Sequence, residues 1–350
     1  MRIAQVAPLI ESVPPPLYGG TERVVSWLTE ELVRQGHEVT LFASGDSQTT
    51  AKLRSVRQRS IRLDQELSDP LAYHILELAQ VFEEAEQFDV IHCHLDFLAF
   101  PFGKSCKTPT IHTLHGRLDL PCWVPIAEYY RDMPLVSISN SQRLPLARFE
   151  PNWIATVYHG LPESSIKPGT GEGGYLVFFS RISKEKRPDL AVEVAKRTGL
   201  PLKIAGKVDP VDRSYFLEEI EPLFEHPLVE YLGEMGEEKV ELLRDAMALI
   251  FPIDWPEPFG LVMIEAMACG TPVITRPCGS APEVVQHGRT GFIVDTVEEM
   301  AEAVKRVDRL SRKHCVETVQ ERFSVEAMTA KYLAAYEKIL NGKKGSNNGA

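Results

Sequence analysis

Twice along this chain, short apolar runs alternate with longer stretches whose apolar residues recur at helical spacing. In the first half RIAQVAP, EVTLFAS, DVIHCH, TPTIHTLHG, PLVSIS and WIATVYHG read as strands. Between the first two lies TERVVSWLTEELVRQG, with Val24, Leu28 and Leu32 one turn apart. Thr21 is placed to cap that helix, Glu22 falls in its first turn, and Gly36 can close it. A second helix is predicted around Leu71 to Glu86. Strands alternating with helices imply a parallel sheet. At LPESSIKPGTGEGG the pattern breaks into a linker rich in Pro, Gly and Ser. It then restarts with YLVFFS, a helix after Arg187, LKIAG, LVEYLG and a helix over Glu237 to Met247. ALIFP, a helix from about Phe259, TPVIT, a short helix near Pro282 and GFIVD follow. Two amphipathic helices, Val297 to Leu310 and Val325 to Leu340, close the pattern. The expectation is an α/β protein with two doubly wound, Rossmann-like parallel-sheet domains at 1–165 and 171–324, and a disordered tail at 342–350.

Size and charge narrow the function. A chain of 350 residues, 44% hydrophobic and 25% charged, can bury two cores without staples. A net charge of −11 argues against general nucleic-acid binding. The basic stretch Lys52 to Leu63, with Arg54, Arg57, Arg59 and Arg62, reads as a solvated face, with an anionic acceptor or lipid headgroup as the sharper alternative. The opening MRIAQVAP lacks the apolar core of a secretory signal, and no run reaches membrane-spanning length. Six scattered cysteines suit reduced, mostly buried thiols. The expected location is cytoplasmic, with at most peripheral membrane contact.

In doubly wound sheets ligands bind beyond the carboxyl ends of strands, and with two such domains the expected place is the cleft between them. EPFGLVMIEAMACG follows a strand. Its prolines hold Glu257 outside the helix, and the amides of Phe259, Gly260 and Leu261 would form an anion site at the helix start. Glu265 lies about two turns into an otherwise apolar helix. It requires either a cation within the domain or a hydrogen-bonding ligand such as a ribose diol. Arg181 and Lys186 flank another strand-to-helix turn; they could hold phosphate oxygens or simply decorate a surface turn. Gly19 and Gly20 sit between the first strand and helix, and Gly206 ends LKIAG. His115 follows a strand, where it could meet a sugar hydroxyl or pack locally. His92 and His94 share one strand face with Cys93 on the other, so strand-end packing is favoured over a metal. Trp123 and Trp255 could stack on a sugar face or belong to the core.

Together these pieces resemble glycosyltransferase family four, with the GT-B fold. EPFGLVMIE is similar to the family's pair of glutamates eight residues apart, at Glu257 and Glu265, and AMACGTPVI continues it. RISKEK matches its Arg–Lys pair at Arg181 and Lys186. YGGTE resembles the family's glycine loop, LHG its cleft histidine, and GSAPEVVQHGRTGFIV and RFSVEAMTAKYLAAYEKIL are also typical. The resemblance implies a retaining hexosyltransferase using a nucleotide-diphosphate-sugar donor of UDP, GDP or ADP type, with no cofactor and no metal. Its acceptor would be a small molecule, saccharide or lipid. Arg181 and Lys186 would neutralise the diphosphate, and Glu265 would hold the ribose. Glu257 and the amides of Phe259 to Leu261 would meet sugar or phosphate, with Glu257 on the sugar hydroxyls. Gly19 and Gly20 would approach the phosphate, and Gly206 would lie by the donor. Glu234 and Met235, with Gly233, would line the base, and His115 would contact the sugar near the reacting carbon. The helix at 325–341 would pack back on the first domain. Two positions depart from the family pattern: Arg187 and Ser280 stand where glycine is common.

Competing readings are a GT-B-fold nucleotide-sugar epimerase, a phosphorylase, and a non-catalytic nucleotide-sugar-binding subunit. An ordinary dehydrogenase is rejected, because no Gly-x-Gly-x-x-Gly follows the first strand.

Overall fold

The computed structural model describes residues 1–62, 64, 69–236 and 238–347, the last five of these by their backbone alone. The chain divides into two compact units: Met1–Gly160 with Val325–Ala350, and Leu161–Ser324.

Unit 1 is built on seven strands: β1 (Arg2–Val6), β2 (Glu38–Phe42), β3 (Lys52–Arg54), β4 (Val90–Cys93), β5 (Thr110–Thr113), β6 (Leu135–Ser137) and β7 (Trp153–Thr156). All pair in parallel, in the order β3-β2-β1-β4-β5-β6-β7. The apolar faces of β1 and β4 explain their central place: Ile3, Ala4, Val6, Val90, Ile91 and Cys93 are fully buried. The first helix runs Gly20–Arg34 and buries Val24, Leu28 and Leu32. It starts two residues earlier than the expected cap implies. Gly19, not Thr21, holds the cap position, with no side-chain cap. Gly36 ends the helix at φ +84°, its amide bonded to the Val33 carbonyl. The second helix is Pro70–Glu83, followed by a 3-10 turn, Ala85–Gln87.

The basic stretch, expected as a solvated face, contains the edge strand β3. Arg54 lies 3.6 Å from Glu84, Arg57 pairs with Asp64, and Arg62 lies 2.7 Å from Glu11. Leu63 lies outside the described residues. The C-terminal helix, Val325–Asn347, belongs to unit 1 and buries Tyr332 and Tyr336 completely. It continues through residues 342–347, where a disordered tail was expected; residues 348–350 lie outside the described part.

Unit 2 has six parallel strands: β8 (Leu176–Phe179), β9 (Leu202–Ala205), β10 (Val229–Tyr231), β11 (Ala248–Phe251), β12 (Val273–Thr275) and β13 (Gly291–Ile293). Their order is β10-β9-β8-β11-β12-β13. Beyond the Pro188–Thr198 helix, a helix at Lys239–Asp245 occupies part of the expected 237–247 span, of which Glu237 is outside the described residues. The single long helix expected over 297–310 is instead Val297–Val304, closed at its start by a Thr296/Glu299 capping box, plus a 3-10 turn. A further helix, Arg312–Arg322, was not foreseen. In each unit the strand order reverses once, between β1 and β4 and between β8 and β11. Loops leaving the carboxyl ends of those strands therefore diverge there, which is where open α/β sheets leave room for a ligand.

Among the described residues no helix is long and apolar enough to cross a membrane. The cysteines are free thiols; Cys93, Cys269 and Cys315 are buried.

Two substitutions probe this packing. A Cβ on Gly206 would stand 1.7 Å from the Ser180 carbonyl oxygen, so only glycine lets the ends of β8 and β9 approach. Gly206→Ala is expected to cost ~3 kcal/mol, read as a lowered urea midpoint; a parent-like midpoint contradicts the close approach. His112 on β5 is fully buried, neither ring nitrogen has a hydrogen-bond partner among the described residues, and burial pushes its pKa down to about 3. Between the unfolded value and that folded value the unfolded chain binds a proton the native state refuses. Stability therefore falls as pH drops through that window, by ~1.4 kcal/mol per pH unit for this one group. His112→Leu should flatten the dependence between about pH 4 and 6 by that slope, measured by urea unfolding across pH. Parallel curves for parent and variant would show that His112 titrates normally.

Candidate functional site

In unit 2 the expected donor residues Arg181, Lys186, Glu257, Phe259 and Gly260 fall on the two loops that leave β8 and β11, on either side of the strand-order reversal. The chain exits β8 at Phe179 and reaches Arg181; Lys184–Lys186 forms a 3-10 turn before the Pro188–Thr198 helix. It exits β11 at Phe251 and reaches Glu257 and then Gly260 at φ +74°, the residue preceding the helix Leu261–Ala268. That helix begins at Leu261, two residues after the expected start. Six of its eight residues are buried, Val262, Met263, Ile264, Ala266, Met267 and Ala268, while Glu265 stays partly exposed.

The two loops are tied together. The Lys186 ammonium pairs with Glu257, and both side chains are about nine-tenths covered, at 11% and 10% exposure. The Trp255 indole Nε1–H donates to the same carboxylate at 2.9 Å, and Lys186 lies over the Trp255 ring at 4.7 Å. Trp255 thus orients Glu257. The Asp254 amide donates to the Glu185 carbonyl at 2.9 Å, and Asp254 accepts from Arg187 at 3.1 Å and Arg276 at 2.7 Å. Arg187 has φ +55°, a left-handed conformation that explains why glycine suits this position; here Asp189 and Asp254 hold the side chain. Gly279, also left-handed at φ +56°, packs so closely that a Cβ would lie 2.2 Å from the Glu257 amide nitrogen. Ser280, the second departure from glycine, donates its hydroxyl to the Phe259 carbonyl at 2.8 Å, and its amide donates to the Glu257 carbonyl. Ser280 and Trp255 therefore brace the loop that carries Glu257.

Arg181 is engaged by Glu185, by Asp209 at 3.5 Å and by Asp212 at 3.7 Å. Glu265 pairs with Lys239 at 2.6 Å, with side-chain exposures of 12% and 15%. Of the two partners left open for Glu265, the intradomain cation is the one present. Lys239 was missed: within GEEKVE it looks like a surface helix residue, yet its ammonium also lies 5.3 Å from the Phe179 ring at the end of β8. Glu234 and Met235 occupy the loop after β10, with Gly233 at φ +74°. Gly206 has both backbone groups committed, its amide to the Gly233 carbonyl and its carbonyl to the Tyr231 hydroxyl, so it serves packing rather than offering a free amide to a donor.

In unit 1, Gly19 and Gly20 join the β1 exit to the first helix, and Gly20 is that helix's first residue. His115 lies two residues beyond β5. Its Nε2 is 2.8 Å from His94 Nδ1, its ring stacks on His159 at 5.4 Å, and burial lowers its pKa to about 3, keeping the imidazole neutral. His92 and His94 do share a face, with ring centroids 4.0 Å apart, but beyond packing His92 is hydrogen-bonded to Tyr336 and Thr113, and His94 to Gln5 and His115. Among the described residues no group of three His, Cys, Asp or Glu side chains could hold a metal ion. Trp123 is 3% exposed within the β5–β6 core and donates to the Arg117 carbonyl. It is a core residue and no sugar platform.

Family models match both halves of the chain. Residues 18–160 match Glycosyltransferase Family 4, and residues 163–324 match Glycosyl transferases group 1. N-acetyl-alpha-D-glucosaminyl L-malate synthase of Bacillus anthracis is 27% identical, over 94% of this chain and 96% of that protein. Sucrose-phosphate synthase of Thermosynechococcus elongatus superposes with a TM-score of 0.79 at 20% identity, covering 98% of this chain and 100% of that one. Anabaena HepE, solved in complex with UDP-glucose, gives a TM-score of 0.76 at 16% identity, covering 97% and 100%. With its two parallel sheets and both halves matched, this chain belongs to the glycosyltransferases of the family-four type with the GT-B fold.

Proposed function

We propose that the protein moves a hexose-type sugar from a nucleotide-diphosphate sugar to an acceptor hydroxyl, with retention of anomeric configuration and without a metal ion. One observation carries the reading: Lys186 and Glu257, from loops on opposite sides of the unit 2 reversal, meet as a covered ion pair, with Arg181 on the same loop as Lys186 and Glu265 on the helix that follows Glu257. Transfer breaks the bond between the anomeric carbon and the diphosphate oxygen, and negative charge builds on the leaving group. The Arg181 guanidinium and the Lys186 ammonium stabilise that charge. When the diphosphate arrives it replaces Glu257 as the counter-ion of Lys186, and Glu257 becomes available for sugar hydroxyls. Glu265, held and neutralised by Lys239, accepts from the ribose hydroxyls.

The loop at Gly233–Met235 lies beside the base, and the Phe259–Leu261 backbone meets phosphate or sugar. On unit 1, the Gly19–Gly20 backbone is assigned to the phosphate and neutral His115 to a hydroxyl of the transferred sugar. The acceptor is a small molecule, a saccharide or a lipid. Anabaena HepE supports the donor class, since it is a relative in fold that binds UDP-glucose.

Calorimetric titration in EDTA with UDP, GDP and ADP, then with their sugar conjugates, tests this reading. One nucleotide should bind selectively, and Glu265→Ala should weaken it by ~10-fold, the order of one charged hydrogen bond. Arg181→Ala should lower kcat by ~100-fold or more. The product's anomeric configuration, read by proton NMR, should match the donor's. Binding of no nucleotide, or an inverted product, contradicts the proposal.

A further inference from the structure

Arg181 has more negative charge around it than it can balance. Glu185 pairs with it from the same turn, while Asp209 at 3.5 Å and Asp212 at 3.7 Å reach it from the loop after β9. Lys207, 2.8 Å from Asp209, adds a second cation. Three carboxylates therefore face two cations, and a negative charge is left over at the place assigned to an anion. Asp212 bears the surplus. Its Oδ2 has no hydrogen-bond partner among the described residues. Burial, with the charges of Glu185 and Asp209, raises its carboxyl above the ordinary value although Arg181 pulls it down.

The two aspartates are held where they are. The Ile182 amide donates to the Lys207 carbonyl at 2.9 Å and the Ser180 amide to the Ala205 carbonyl at 3.1 Å, so the exits of β8 and β9 are joined backbone to backbone. Pro210 opens the 3-10 turn Pro210–Asp212 and fixes its own φ there. The carboxylates cannot swing away with their loop when a ligand comes to Arg181. The site is also open. The side chains of Arg181, Asp209 and Asp212 are 27%, 26% and 15% exposed, so a ligand reaches the guanidinium from solvent with the carboxylates still beside it.

Sugar transfer changes the charge of what Arg181 holds. The bond between the anomeric carbon and the diphosphate oxygen breaks, and that oxygen keeps the electron pair. The acceptor oxygen bonds the carbon, and its proton passes to solvent. A nucleotide sugar carries one negative charge per phosphate. The diphosphate left behind ends in a phosphate monoester, which ionises again with a pKa of about 6 and so carries close to one charge more at neutral pH. A fixed surplus of negative charge repels this product more than the donor. We propose that Asp209 and Asp212 are specificity-determining residues that compete with bound phosphate for Arg181 and so weaken the nucleoside diphosphate product relative to its sugar donor. The proposal rests on the reading that Arg181 meets the donor diphosphate. The carboxylates reclaim the guanidinium as the product leaves, and product release limits turnover in many enzymes.

Calorimetry at neutral pH in EDTA tests it, with UDP, GDP and ADP, their glucose conjugates and the free nucleosides as ligands. The proteins are the parent, Asp209→Asn, Asp212→Asn and the double variant; each amide keeps the size of the side chain and removes its charge. In the double variant the diphosphate that the parent prefers should bind ~10-fold tighter, the order of one like charge removed beside it. Its glucose conjugate should gain less, ~3-fold, and its nucleoside nothing. Damage to packing does not produce a gain in affinity that grows with the charge of the ligand. If urea unfolding shows that the double variant has lost its fold, the same comparison is read in Asp209→Asn, the more exposed of the two sites. A diphosphate that binds the folded variant no tighter than the parent overturns the proposal and leaves the donor reading standing. So does a glucose conjugate that gains as much as the diphosphate. Binding of no nucleotide by the parent contradicts the donor reading itself, and the proposal falls with it.

Discussion

Lys186 and Glu257 are charges that neither loop of unit 2 could bury alone. Removing one member of such a covered pair typically costs about 3–5 kcal/mol, because the other is left without compensation. The pair therefore acts as a clasp between the exits of β8 and β11. Around it the sequence makes choices that are poor locally and sound globally. Arg187 occupies a left-handed conformation that glycine would adopt more easily, and Asp189 and Asp254 hold it there. Gly279 removes a side chain that would strike the Glu257 backbone. Ser280 and Trp255 supply hydrogen bonds that fix the loop and its carboxylate. A site assembled this way has its charges positioned before any ligand arrives, which is the condition for electrostatic stabilisation of a developing anion.

The ion pairs also define what a ligand must do. Arg181, Lys186 and Glu265 each already have an opposite charge close by. A neutral or singly charged molecule gains little by displacing those partners. A diphosphate brings enough negative charge to exchange with Glu257, and a vicinal diol can share Glu265 with Lys239 without breaking the pair. On the proposed reading, the resting pairs would favour a diphosphate over a ligand of lower charge.

Most of the architecture was legible because it rests on apolar periodicity. All six strands read in the first half appear in unit 1, and the β8 and β11 exits carry the residues that motif spacing singled out. What could not be read depends on partners distant in sequence. The Arg312–Arg322 helix buries Cys315, Thr318 and Val319, a stripe that carries little apolar signal. Its Arg312 guanidinium bonds the carbonyls of Gly169, Arg244, Ala246 and Cys269 and the Thr271 hydroxyl, a staple that no local pattern announces. Lys239 looked like a solvated helix residue until its carboxylate appeared. The choice between core and ligand platform for Trp123 stays open in the sequence because its neighbours Phe97 and Phe100 lie more than twenty residues earlier. The histidine pair on β4 was placed correctly on one face, but its partners Gln5, Thr113 and Tyr336 come from β1, β5 and the C-terminal helix.

The central claim is that Lys186 exchanges Glu257 for the second phosphate of a nucleoside diphosphate. Affinities of the preferred nucleoside diphosphate and its monophosphate, measured side by side for the parent and Lys186→Met, test it directly. The account predicts that the parent favours the diphosphate and that the variant loses most of that preference, by ~10-fold or more, while monophosphate affinity changes little. A preference for the diphosphate that survives in Lys186→Met would place the phosphates elsewhere and leave the clasp a purely structural pair.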